Sequence, residues 1–106
     1  MANPYAGEVA IWLDGQRHLA KLTLGALAEL EVALETGSLM DMVERFEARR
    51  FTTRDVLALI VAGLRGSGWQ GTAADLMRAD IGGGPVEAAR AAAELLARAF
   101  SVPGEG

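Results

Sequence analysis

Histidine and the acidic residues are where catalytic or metal-binding chemistry would be sought first in this sequence. His18 is the only histidine of the 106 residues, and there is no cysteine. A nucleophile–base pair would have to use His18, and a metal site would have to replace imidazoles by carboxylates. Asp41, Glu44 and Glu47 are spaced to share one side of a helix, but calcium takes about six or more oxygens from a loop. We interpret these acids as a solvated helix face and expect no metal.

Two glycine-rich segments have the composition of phosphate-binding loops. Residues 66–71 match the G-x-G-x-x-G fingerprint of dinucleotide-binding proteins. That fingerprint needs a preceding strand and a βαβ unit, whereas helical periodicity precedes it here. The triplet at 82–84 leads into Pro85, which is typical of a hinge or linker. We therefore predict loops between helices, expect no cofactor, and expect that the protein is not an enzyme, because no polar groups converge.

A local basic run raises DNA binding as an alternative function. Four arginines lie between residues 45 and 54, and residues 52–80 have a helix–loop–helix pattern. A recognition helix needs hydrogen-bond donors, but the second helix carries Asp75, Asp80 and only Arg78. The net charge is −4, and an acidic chain is poorly suited to nucleic acid or anionic membrane. A salt-bridged surface is the favoured interpretation of the arginines.

Length and composition indicate one folded domain over residues 1–106. Apolar residues make up 51% of the chain, which is typical of a packed globule. The start has no basic or apolar targeting region. The longest apolar run, Val56 to Leu64, is far shorter than the ~20 residues that span a bilayer. We expect a cytoplasmic protein whose last residues, 102–106, are frayed.

The first 23 residues contain a hairpin signal. Asp14-Gly15 separates two extended runs, and this dipeptide favours a two-residue type I′ turn. The register then pairs Trp12 with Arg17 and places the apolar residues of both runs on one face. We predict a β-hairpin over residues 7–23.

Helical signals occupy residues 24–101. Thr23 and Gly37 are predicted to start and stop the first helix, and three later starts have a hydroxyl followed by an acid three residues on: Ser38 with Asp41, Thr52 with Asp55, and Thr72 with Asp75. The later helices are predicted at about 39–49, 53–65 and 73–80, and from Pro85 as first residue to about 100. Leu24, Leu27, Leu30 and Leu34 are expected to be the inner stripe of the first helix, and Val86, Ala89, Ala93, Leu96 and Phe100 that of the last. The predicted fold is mainly α, a small α+β arrangement of one hairpin and four to five short helices in a compact bundle.

Aromatic residues outside the predicted core are the best candidates for contact with a partner. Trp12 lies on the less apolar face of the hairpin, next to Arg17 and near Leu19, and Trp69 lies in the glycine-rich loop. Tryptophan is enriched in binding hot spots, although each could equally cover this small core. The exposed edge of the hairpin offers strand addition as a further way of binding.

The order of these parts resembles a known family of tail proteins. The features are the Asp14-Gly15 hairpin, the run from Leu22 to Glu31 (LTLGALAELE), the junction at 37–39, the helix start at 52–56, and an alanine-rich last helix that ends at Ala99-Phe100. They resemble the small tail proteins of gene transfer agents and related siphophages, usually classed as phage tail assembly chaperones and sometimes labelled as tail tube protein. The likeness extends from Gly7 to Phe100, and Leu22 to Glu31 is its most specific part.

The resemblance implies a non-enzymatic role in tail assembly. Such chaperones coat the tape-measure protein and help to recruit tail tube subunits, so these two proteins are the implied partners, together with weak self-association. Two alternatives stay open. The protein could be a structural component retained in the tail, although one hairpin is a poor supply of strands for a tube, or a small DNA-binding regulator.

Overall fold

The computed structural model describes residues 7–34 and 38–100. Two strands come first, β1 (Val9–Leu13) and β2 (Gln16–Ala20). Five helices follow: α1 (Leu24–Ala33), α2 (Leu39–Glu47), α3 (Thr53–Gly66), α4 (Ala73–Arg78) and α5 (Gly84–Ala99). The predicted fold class, a hairpin followed by short helices, is confirmed. The predicted helix stop at Gly37 and the predicted frayed tail at 102–106 lie outside the described residues.

The hairpin has the register that the sequence predicts. Trp12 pairs with Arg17 and Leu13 with Gln16 across an antiparallel ladder. Asp14 and Gly15 have φ values of 49° and 80°, which is the left-handed pair that a type I′ turn requires. The inner face of the hairpin supplies Val9, Ile11, Leu13, Ala20 and Leu22 to the core.

The three predicted capping boxes all form, and each fixes the start of a helix. Ser38, Thr52 and Thr72 each accept a hydrogen bond from a backbone amide three residues on, and the acid there accepts one from the backbone amide of the capping residue. Thr23 caps α1, where its hydroxyl accepts a 3.1 Å bond from the amide of Ala26. Each such cap contributes about 1 kcal/mol. Helix α4 ends at Arg78, two residues before the predicted end.

Helix α3 forms the centre of the core. It contacts α1, α4, α5 and β2, and its Leu59, Ile60 and Leu64 are almost fully buried. Helix α2 adds Met42 to the core. Phe46 of α2 stacks on Phe51, with ring centroids 4.4 Å apart, so the turn from α2 into α3 has its own aromatic contact.

The predicted inner faces of α1 and α5 are partly wrong. Leu24 is 85% exposed and Val86 is 82% exposed, and Ala93 and Phe100 are also on the surface. Alanines take their place in α5, whose buried residues are Ala88, Ala91, Ala92, Leu95 and Leu96. The buried positions follow each other at i, i+3, i+4, i+7 and i+8 from Ala88, so this face brings both Leu95 and Leu96 inside and leaves Val86 outside. Gly63 of α3 makes room for Leu95, since an added Cβ would lie 2.8 Å from one of its methyl carbons.

The glycine triplet is a docking segment rather than a free hinge. Ile81 forms a β-bridge with Leu13, and the amide of Gly82 donates a 2.9 Å hydrogen bond to the carbonyl of Trp12. A Cβ on Gly82 would lie 2.9 Å from that of Trp12, so glycine permits the approach. Pro85 is the second residue of α5, one position later than predicted.

Candidate partner-binding surfaces

An apolar groove runs between α1 and α3, and we call it the α1–α3 groove. Its volume is about 620 Å³. The floor consists of Leu30, Ala33, Leu34, Leu57, Ala58, Val61 and Ala62. Leu57 and Val61 lie one helical turn apart on the same face of α3, and both are only half-buried. An apolar groove between two helices, lined by partly exposed aliphatic side chains, has the shape and chemistry to accept the apolar face of a third helix.

One end of the α1–α3 groove is fixed by a bidentate ion pair. Arg45 of α2 donates from Nε and Nη2 to the two carboxylate oxygens of Asp55, at 3.0 Å and 2.9 Å. Asp55 also accepts a 2.9 Å bond from the amide of Thr52. Burial alone would raise the pKa of Asp55, but the bonds from Arg45 and Thr52 outweigh it and hold this pKa below its ordinary value. Asp55 is therefore both the acid of the α3 capping box and the link between α2 and α3.

The other end of the groove carries a more exposed pair. Arg65 of α3 donates to Glu29 of α1 at 3.2 Å and to the carbonyl of Gly71 at 3.2 Å. Both side chains of the pair are largely in water, where such pairs stabilise little. Together with Arg54, which also lines the groove, they give the apolar floor a charged rim.

The second candidate surface lies along β2, between this strand and the loop after α3, and we call it the β2 groove. Its volume is about 800 Å³. Strand residues line one side, and residues 66–70 line the other. Trp69 is half-buried in that wall; its amide donates a 3.0 Å bond to the carbonyl of Leu64. A Cβ on Gly71 would overlap the indole ring of Trp69, so the ring rests directly on the backbone at Gly71.

The backbone of β2 is open toward this groove. The carbonyl of Trp12 accepts from Gly82, on the side away from β2, so Trp12 and Arg17 form a pair that is not hydrogen-bonded to each other. The N–H and C=O of Arg17 therefore point outward from the hairpin, and by alternation so do those of Leu19. Neither residue has a further backbone hydrogen bond within the described ranges.

Three of the four predicted contact residues meet in the β2 groove. Arg17, Leu19 and Trp69 all line it. Trp12 does not, since it lies over Gly82 on the β1 side and is 49% exposed. Their contact with a partner stays a prediction. Sequence reasoning missed the α1–α3 groove; the signal was available in α1, whose apolar residues occur on every side of the helix instead of in one stripe.

The residues considered for catalysis, cofactor binding or DNA binding lie at the surface of the molecule. His18 lines the β2 groove, and residues 66–71 form the loop between α3 and α4. Within residues 7–34 and 38–100, no three histidine or acidic side chains gather as a metal site would require. Two of the arginines of the DNA-binding alternative are in ion pairs with acids, Arg45 with Asp55 and Arg78 with Asp75.

Comparison with known families shows which family the chain belongs to. The family described as "Phage tail tube protein, GTA-gp10" matches residues 6–102. The chain belongs to this family. It is thus a member of a family of tail proteins from phages and gene transfer agents, as the resemblance implied. No curated protein and no solved structure matches the chain. None of the helices in the described residues is long and apolar enough to cross a membrane.

Proposed function

We propose that this member of the tail family is a tail assembly chaperone without enzymatic activity, which acts in the bacterial cytoplasm. It would bind the tape-measure protein, the tail tube protein, or both, while the tail is built. The observation that supports the proposal is the α1–α3 groove: an open apolar channel with a charged rim in a small protein of a tail family. A chaperone for a long helical partner needs such a surface, because the partner's apolar face must be covered before assembly.

The groove suits a transient complex better than a permanent one. Its floor is aliphatic and shallow, with Leu34, Leu57 and Val61 half-buried in the free protein. Covering them adds apolar burial at roughly 25 cal/mol per Å², while the rim remains polar.

The second candidate is a structural tail component that stays in the particle. The description of the family as a tail tube protein favours it. A tube wall built by strand pairing would need a large sheet in each subunit, whereas the described residues contain one sheet of two strands. This supply of strands is small, which is why the chaperone is our first proposal.

The two functions differ in where the protein ends up, and this gives the test. The tagged protein is expressed with the tape-measure and tail tube proteins encoded beside it, and the complexes are purified. Finished particles are analysed by quantitative mass spectrometry. We expect capture of the tape-measure protein and absence from finished particles. Stoichiometric presence in particles would contradict the chaperone and support the structural component.

A matched pair of variants tests the groove itself. Ala33 is exposed and lines the α1–α3 groove, whereas Ala28 is exposed on the same helix and does not line it. Ala33→Glu places a charge in the channel, and Ala28→Glu makes the same change outside it; both keep good helix propensity. We expect Ala33→Glu to weaken capture of the tape-measure protein by about tenfold or more and Ala28→Glu to leave it unchanged. Equal effects of the two variants would show that the groove is not the binding surface.

A further inference from the structure

We propose that the β2 groove binds an extended acidic segment of a partner protein, which adds a third strand to the hairpin. The two edges of the hairpin differ. Residues 80–82 close the Trp12–Asp14 end of the β1 edge, through the bond from Gly82 to Trp12 and a 2.8 Å bond from the amide of Asp14 to the carbonyl of Asp80. The edge of β2 is open at Arg17 and Leu19. The inference concerns a different surface from the α1–α3 groove and does not require that groove to bind anything.

The open edge presents a complete set of ladder groups. Arg17 and Leu19 together offer two outward N–H donors and two outward C=O acceptors, at the spacing of alternate strand residues. Beyond them the edge closes again, because the amide of Lys21 donates a 2.8 Å bond to the carbonyl of Gly63. An added strand can therefore pair along Gln16–Ala20, and α3 stops it at Lys21. Proteins usually blunt open edges of this kind, and one beside a groove is suited to strand addition.

Charge identifies the chemistry of the occupant. The outer face of β2 carries Arg17 and Lys21 on either side of Leu19. Among the described residues that line this groove, Glu8 is the only one with a carboxylate. The surface is therefore basic, although the whole chain has a net charge of −4. A strand beside β2 places its own side chains opposite Arg17 and Leu19 and ends close to Lys21, so the favoured segment alternates acids with an apolar residue that covers Leu19.

The opposite wall favours a peptide over other acidic ligands. The indole ring of Trp69 rests against the backbone at Gly71. In this position the ring presents an aromatic surface to the side chains of an added strand. A nucleic acid would satisfy the charges of Arg17 and Lys21 and could stack on Trp69, but it has no alternating amide donors and acceptors for the edge. A second copy of this chain would bring its own Arg17 and Lys21 to the same sheet, where like charges repel. A peptide ladder uses both the backbone and the charges.

The test uses the full chain and a blocked peptide of alternating Glu and Val as the probe. Binding is followed by NMR on the backbone amides, together with hydrogen exchange. We expect the largest shifts and new exchange protection at Arg17 and Leu19. The same peptide with every backbone amide N-methylated keeps its charge and loses its donors on both edges, and we expect it to bind about tenfold more weakly or not at all. Equal binding of the two peptides would overturn strand addition.

Three controls separate the remaining explanations. Arg17→Glu should weaken binding of the peptide by about tenfold, whereas Arg50→Glu, the same change at a residue outside both grooves, should leave it unchanged. If Arg17→Glu does not fold by circular dichroism, a peptide of alternating Lys and Val replaces it as the charge control on the unmodified protein. Preference for a single-stranded oligonucleotide, or shifts at β2 that depend on protein concentration without peptide, would contradict the proposal. Ala33→Glu should bind the peptide as tightly as the unmodified protein does. Strand addition at β2 can therefore hold even if the chaperone proposal fails.

Discussion

The two grooves are formed by different parts of the chain. The α1–α3 groove is formed by side chains: an aliphatic floor, the Arg45–Asp55 pair at one end and the Arg65–Glu29 pair at the other. The β2 groove is formed largely by backbone, with the open edge of a strand on one side and a glycine-rich loop on the other. A surface of side chains selects partners by shape and hydrophobicity, whereas a strand edge accepts any extended backbone and leaves selection to the neighbouring charges.

The difference also predicts how each groove fails. Where backbone meets backbone, one extra methyl group cannot be accommodated by a change of rotamer, so errors are costly. Where side chains form the frame, the cost of a change depends on how much water reaches them. These two kinds of support can be compared through a change at Gly66, a change at Asp55 and a lowering of the pH.

Gly66→Ala should be the most destabilising of these changes. A Cβ on Gly66 would overlap the carbonyl oxygen of Lys21, at the point where the end of β2 meets α3. Since both groups are backbone, we expect the free energy of unfolding to fall by about 3 kcal/mol, measured by urea unfolding. Gly25→Ala is the control: it lies in α1, where only the Thr23 hydroxyl is near, at 4.0 Å, and should stabilise by up to ~1 kcal/mol. Destabilisation of similar size in both would contradict the difference in packing.

Asp55→Ala should be the most destabilising change in the frame of the α1–α3 groove. It removes the carboxylate half of the α3 capping box, while the Thr52 hydroxyl still caps the helix, and it leaves Arg45 without its bidentate partner. We expect a loss of about 2 kcal/mol, less than for a fully buried pair because the Arg45 side chain is 31% exposed. The matched variant is Asp75→Ala, which removes the same half of a capping box at an exposed site, where Asp75 has only an exposed 3.5 Å pair with Arg78. It should cost clearly less; equal losses would mean that the pair with Arg45 contributes nothing.

Acid should weaken the same end of the groove. The bonds from Arg45 and Thr52 hold the pKa of Asp55 below its ordinary value, against the effect of its burial. A carboxylate with a depressed pKa contributes stability that is complete above its unfolded pKa, about 3.9, and is lost as the pH falls through the folded value. We expect Asp55→Asn to flatten the loss of stability below about pH 4, measured by urea unfolding at several pH values. An unchanged pH profile in this variant would exclude Asp55 as a source of the acid sensitivity.

The structure was predictable from the sequence where the signals were local. Asp14-Gly15 fixed the turn and, through it, every pair of the hairpin. A hydroxyl and an acid three residues apart located three helix starts. Each signal works because the two groups that bond are close along the chain, so their geometry does not depend on the rest of the fold.

The parts that depend on distant contacts were not predictable in this way. The inner face of α5 was misassigned because large apolar residues were counted as core, whereas the buried face carries three alanines beside Leu95 and Leu96 and leaves Val86 outside. Closure of the β1 edge by residues 80–82 joins positions far apart in sequence and has no periodic signal. The two grooves follow from such contacts, so the sequence indicated single candidate residues, Arg17, Leu19 and Trp69, and the structure brought them together.

The pair between Glu29 and Arg65 should give the smallest effect of all. It joins α1 to α3 across the end of the groove, so by position it resembles the pair between Arg45 and Asp55. The two pairs differ in solvent exposure. The side chain of Arg65 is 41% exposed and that of Glu29 is 60% exposed, and an exposed ion pair is only slightly more stable than the two hydrated charges apart. A double-mutant cycle with Glu29→Gln and Arg65→Gln should give a coupling energy below about 1 kcal/mol that declines further in salt. A larger coupling, insensitive to salt, would mean that this end of the groove is as firmly held as the Asp55 end, and that the exposure of a pair does not decide its strength here.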